Sequence, residues 1–109
     1  MFANYSNVDR RASSRARTNL PMTAYVDGIP RSYRAIDVSC SGALVERSAL
    51  RSPPTIHHIE LDLGGEKPLK MVARTVWTEG MHHAVRFIGM ADADRLEIAE
   101  LLDRLHHRL

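Results

Sequence analysis

A single cysteine, Cys40, stands in a chain of 109 residues, which excludes an internal disulfide and any zinc cage built from cysteine thiolates. No apolar run approaches the roughly 20 residues a membrane helix needs, and the N-terminus lacks the apolar centre of a signal peptide. The expected location is therefore the cytoplasm, without membrane insertion. No phosphate-binding glycine loop, GxSxG elbow or dinucleotide fingerprint is present. No acid, base and nucleophile converge in the sequence, so the chain is not read as an enzyme. Aromatic residues make up only 6%; a stacking platform for single-stranded nucleic acid needs several on one face, which counts against that partner.

What remains is an ordinary soluble composition, 44% hydrophobic and 26% charged, at a length that supports one core. The net charge of +2 is unevenly spread: residues 1–17 hold Arg10, Arg11, Arg15 and Arg17 against Asp9 alone. This stretch also lacks apolar periodicity, so residues 1–18 are expected to be a flexible, arginine-rich arm and residues 19–109 the folded domain. An arginine-rich arm suits an anionic ligand.

Beyond the arm, short alternating segments are separated by turn signals, the pattern of an antiparallel barrel or sandwich. Asp27-Gly28 suits a tight hairpin between strands near 20–27 and 31–38. Further strands are expected at 43–47, 56–63, 69–78 and 82–89. In the fourth, Ile59, Leu61 and Leu63 share one face while Glu60 and Asp62 take the other. From Asp92 the period changes, with Ile98, Leu101, Leu102, Leu105 and Leu109 recurring at helical steps. Asp92 or Asp94 is expected to cap that helix, Asp94 and Glu97 having capping-box spacing. The fold class is all-β with a C-terminal helix: six strands, one helix.

Two short motifs carry the chemistry. In Asp37-Val-Ser39-Cys-Ser-Gly42, inward Ile36 and Val38 would leave Asp37 and Ser39 together on the outer face, about 7 Å apart. An ionised aspartate accepts and a serine donates or accepts, which suits an edge with adjacent N–H donors such as that of guanine. Gly42 would serve a positive-φ turn or a close ligand approach. From this segment alone a plain polar turn is equally open. Arg11-Ala-Ser-Ser-Arg15 supplies two guanidiniums that can bind phosphate bidentately, stack on a base or bond the O6/N7 edge of guanine. RxxxR by itself is also common in solvated basic tails.

Together, RxxxR on an N-terminal arm and [D/N]xSxxG about twenty residues later resemble the PilZ domain family. "ARTVW", "HHAVRF" and the terminal helix are similar to the rest of that domain. Ala84 departs from it, standing where many members have glycine. The resemblance implies a six-stranded antiparallel β-barrel that binds the second messenger cyclic di-GMP as a ligand, with no cofactor. Arg11 and Arg15 would hold guanine and phosphate, Asp37 and Ser39 would bond guanine from the barrel side, and Gly42 would shape the turn. Arg10, just before the first motif, implies two intercalated ligand molecules. The ligand would order the arm and pass the signal to an unidentified downstream protein. The alternative is a PilZ-like protein-interaction adaptor that binds no nucleotide.

Trp77 is a weaker candidate for stacking on a base, with core or rim packing as the alternative. Arg74 and Arg86 are weaker candidates for phosphate, solvated strand-face arginines being equally open. The His-His pairs at 57/58 and 82/83 would point to opposite faces of their strands and so do not converge on a metal. Cys40 lacks an identifiable base and is read as a spacer.

Overall fold

Asp27 and Gly28 adopt φ of 54° and 78°, the left-handed pair of a two-residue hairpin turn. They join β1 (Arg15–Val26) to β2 (Ile29–Ser39). The computed structural model describes residues 15–48 and 53–106. Along it come β3 (Gly42–Glu46), β4 (Ile56–Leu61), β5 (Leu69–Glu79), β6 (His82–Gly89) and α1 (Asp92–His106). All pairings are antiparallel, and the order β1-β2-β3-β6-β5-β4 closes through β4 on β1. Closure leaves no open sheet edge within the barrel.

Alternation fills the interior. Met22, Ala24, Val38, Val45, Ile59, Leu61, Met71, Val85 and Phe87, drawn from all six strands, are buried in one cluster, which Ile98 and Leu102 of α1 join. Burying a residue such as Ile59, 1% exposed, stabilises the fold by about 1.5–3 kcal/mol. Leu101 and Leu105 of the expected helical stripe are half-buried; Leu109 lies outside the described residues.

Three expectations need correction. β1 starts at Arg15, so residues 15–18, placed in the arm, are strand. Their alternation was hidden because the inward positions are the small Ala16 and Thr18, the latter donating its hydroxyl to the Ala35 carbonyl at 2.7 Å. Ile36 is not an inward partner of Val38: the β2–β3 register skips it, pairing Ala35 with Val45 and Asp37 with Leu44. This bulge puts Ala35 and Val38 in the core and leaves Ile36 half-buried. The helix is not capped by Asp92 or Asp94. The Ala91 carbonyl accepts from the N–H groups of Asp94 and Arg95, and both aspartates lie in the first turn, where they favour the helix dipole.

Candidate functional site

The register lays out the outer face in rows. One row runs Arg17, Asp37, Leu44, Ala84 and Trp77 across β1, β2, β3, β6 and β5. Beside it, Arg15 pairs with Ser39, and Gly42, Arg86, Arg74 and Ile56 continue across β3, β6, β5 and β4. Between these rows lies a cleft of about 230 Å³. Gly42, Leu44 and Ala84 form its uncharged floor. Its walls carry Arg15, Asp37 and Ser41 on one side and Val76, Trp77 and Arg86 on the other.

A second bulge makes this wall. Thr75 pairs with Val85 and Trp77 with Ala84, so Val76 is an extra residue in β5. It restores Trp77 to the outer face, 47% exposed, where uninterrupted alternation after Thr75 would have turned it inward. Of the weaker candidates, Trp77 and Arg86 therefore line the cleft, whereas Arg74 stands outside it, directly opposite Arg86.

Asp37 is three-quarters covered, and Arg15 Nε lies 4.0 Å from its Oδ1, with the arginine side chain largely in solvent. The two charges face each other at the long limit of an ion pair, leaving carboxylate lone pairs available to a ligand. Ser39 lines the cleft on the Asp37 side, but its hydroxyl is engaged in the local turn. It is 3% exposed, and its Oγ accepts from the N–H groups of Ser41 at 3.2 Å and Gly42 at 3.1 Å. Its hydroxyl also lies 3.1 Å from the Ser41 hydroxyl. Pocket rim and polar turn coincide here: Ser39 builds the turn on which the rim stands.

Gly42 needs neither a positive φ nor a ligand to explain it. A Cβ at this position would overlap the Val85 carbonyl oxygen, so glycine is required by the approach of β6. Arg10 and Arg11 lie outside the described residues. Ser41, Ala43, Leu44, Val76, Ala84 and Val85 also line the cleft although periodicity did not single them out as ligands; Arg17, opposite Asp37, was counted only for its charge. The bulges at Ile36 and Val76 leave no trace in apolar alternation, which is why these neighbours were not legible.

The helix is tied to the Arg15 side of the cleft rim. Arg95 donates to the Cys40 carbonyl at 3.2 Å, and His106 Nε2 lies 3.2 Å from the Arg15 carbonyl. Cys40 is a half-buried free thiol.

Away from the cleft, His57 and His83 turn inward while His58 is exposed and His82 half-buried. Burial, then the Arg47 charge, then His57 lower the His83 pKa to about 4. Neutral His83 presents Nδ1 to Arg47 Nη1 at 2.7 Å, and its Nε2 has no partner among the described residues. Arg47 also bonds the Gly80 and His82 carbonyls, pinning the β5–β6 turn. His57 is likewise lowered, mainly by burial; the nearby Pro54 backbone offsets part of this without meeting hydrogen-bond geometry, and among the described residues neither ring nitrogen has a partner. Among the described residues no three His, Cys, Asp or Glu side chains gather to hold a metal, and no helix is long and apolar enough to cross a membrane.

The fold recurs in solved structures. The inhibitor of motility MotI/DgrA from Bacillus subtilis superposes with a TM-score of 0.78 at 14% identity, over 91% of this chain and 52% of that one. This chain thus spans about half of that protein. The PilZ domain of YcgR from Escherichia coli, determined with cyclic di-GMP, gives 0.73 at 12% identity over 91% and 93% of the two chains. The PilZ domain of CeSA from a cellulose-synthesizing bacterium gives 0.64 at 25% identity over 87% and 100%. No curated protein matches the sequence. The family model of the PilZ domain matches residues 9–104, and with a closed six-stranded barrel, a C-terminal helix and a cleft at Asp37 and Arg15, the chain belongs to the PilZ domain family.

Proposed function

We propose that the cleft is the fixed half of a cyclic di-GMP site and that the protein is a receptor that reports this ligand to a partner. The observation that carries the reading is the convergence of residues from four separate strands, Arg15, Asp37, Trp77 and Arg86, around one small cleft. Asp37 accepts from the N–H groups on the guanine edge. Arg15 and Arg86 meet phosphate or the O6/N7 edge. Trp77 offers an indole face worth about 1–3 kcal/mol to a stacked base.

A volume of about 230 Å³ falls below the ~300 Å³ at which drug-sized ligand pockets begin. The cleft takes part of a dinucleotide, so another group must cover the rest. Arg10 and Arg11 supply it: they close over guanine and phosphate, and residues 1–14 become ordered on the barrel. Arg10 adds a cation for a second, intercalated ligand molecule. The new surface then engages a downstream protein.

Calorimetry with cyclic di-GMP tests ligand, stoichiometry and site together. Binding by the native chain, two ligands per chain at saturation, and loss of most affinity in Arg15→Ala are expected. One ligand per chain would remove the intercalated pair. No heat with the native chain would replace the receptor by a nucleotide-free adaptor.

A further inference from the structure

We infer that α1 supports the ligand site: Arg95 and His106 are positioning residues that hold the two ligand motifs by their backbones, and occupancy of the cleft is thereby coupled to the docking of α1. The inference rests on the cyclic di-GMP reading above and adds the helix to it.

α1 packs chiefly against β1 and β2, the strands that carry Arg15, Asp37 and Ser39. Ile98 and Leu102 are buried in the barrel core; Arg95 stands three residues before Ile98 and His106 four after Leu102. Steps of three, four and four put all four residues on one helical stripe. Its apolar centre docks the helix, and its polar ends reach the two motifs. Arg95 Nη1 donates to the Cys40 carbonyl at 3.2 Å. His106 Nε2 donates to the Arg15 carbonyl at 3.2 Å, since a carbonyl only accepts.

Both carbonyls belong to points that need support. Arg15 is the first residue of β1, and strand ends open most readily. It pairs with Ser39 on its β2 side, but among the described residues β4 pairs with β1 only over Met22–Ala24. At Arg15 the helix therefore stands where a neighbouring strand would. Cys40 lies in the bend after β2, which Ser39 Oγ ties from within through the N–H groups of Ser41 and Gly42. Arg95 holds the same bend from outside. Because Arg15 pairs with Ser39, next to Cys40, the two bonds secure one corner of the cleft. A rim held in advance spares the ligand the cost of ordering it. Coupling is reciprocal: if docked α1 favours the ligand, the ligand favours docked α1. The helix thus carries the state of the cleft to the opposite side of the rim.

Calorimetry with cyclic di-GMP on Arg95→Ala and His106→Ala, and on Arg95→Lys and His106→Gln, which keep a donor, tests this beside amide hydrogen exchange. Each alanine variant is expected to weaken binding by about 3- to 10-fold, the loss of one hydrogen bond. The urea midpoint should hold, both side chains being exposed, and the donor-keeping variants should regain most of the affinity. Without ligand, exchange should quicken at Ser41 and Gly42 in Arg95→Ala and at residues 15–17 in His106→Ala. With ligand, the α1 amides of the native chain should gain protection. Alanine variants that bind as well as the native chain overturn the positioning role and leave the receptor standing. Affinity that falls in step with the urea midpoint, or is not regained with lysine and glutamine, overturns it too. Unchanged α1 protection on ligand binding overturns the coupling. A native chain that binds no ligand overturns both readings.

Discussion

Gly42 on β3 packs its Cα against the carbonyl of Val85 on β6, leaving no room for a side chain between the two strands. The glycine is thus part of the barrel wall before it is part of a ligand motif. Gly42→Ala is expected to destabilise the protein by about 1–3 kcal/mol, because backbone rather than a side-chain tip must move. Chemical denaturation would measure that loss, and calorimetry a weaker cyclic di-GMP affinity, since the displaced Val85 and Arg86 flank the cleft. An unchanged midpoint would contradict the close approach.

Arg15 and Asp37 should behave in the opposite way. Their 4.0 Å contact is long, and Arg15 is mostly in solvent. Arg15→Ala or Asp37→Asn is expected to change stability by less than about 0.5 kcal/mol. Ligand affinity is expected to fall at least about tenfold, as when a hydrogen bond to a charged group is lost. Folding loss in step with binding loss would make the pair structural.

Ser39 should affect both. Its Oγ receives the N–H groups of Ser41 and Gly42, and Ser39→Ala leaves both donors without that acceptor in a largely covered turn. A loss of about 1–2 kcal/mol is expected, with weakened ligand binding because the turn positions Ser41 and Gly42 at the cleft. Thermal unfolding of Ser39→Ala beside Ser41→Ala checks it: Ser41, exposed, should matter less to stability.

The buried histidines set an acid limit. His83 has a folded pKa of about 4, below its ordinary 6.5, so the unfolded chain takes up its proton first as pH falls. Its stabilising contribution is full above pH 6.5, declines on acidification through that value and is gone below about 4. His57 shifts in the same direction. The loss due to His83 is on the order of 3 kcal/mol. Urea titrations at intervals between pH 7 and 4 should show it, and His83→Gln should flatten the slope while lowering stability at pH 7. An equally steep slope in the variant would assign the acid limit elsewhere.

How far these features could be read from residues alone varies with their physical origin. The span of β6 over residues 82–89 and the helix start at Asp92 arise from local periodicity and turn chemistry. Asp27-Gly28 likewise needs only the preference of that pair for positive φ. Asp37 and Arg15 were identifiable because their residue types and spacing form a motif. The reason for Gly42 was not, because the atom that forbids a side chain belongs to a distant strand, β6.

The amino-acid order by itself determined the strand and helix pattern, the uneven charge of the first 17 residues and the paired motifs, all properties set within a few neighbouring residues. Tertiary structure alone decided which partners meet. Register and bulges brought Trp77 and Arg86 together on one cleft wall and left Arg74 outside it. A bulge adds one residue without altering composition, yet it reverses the facing of every later residue on its strand. That reversal, invisible in periodicity, shaped the cleft.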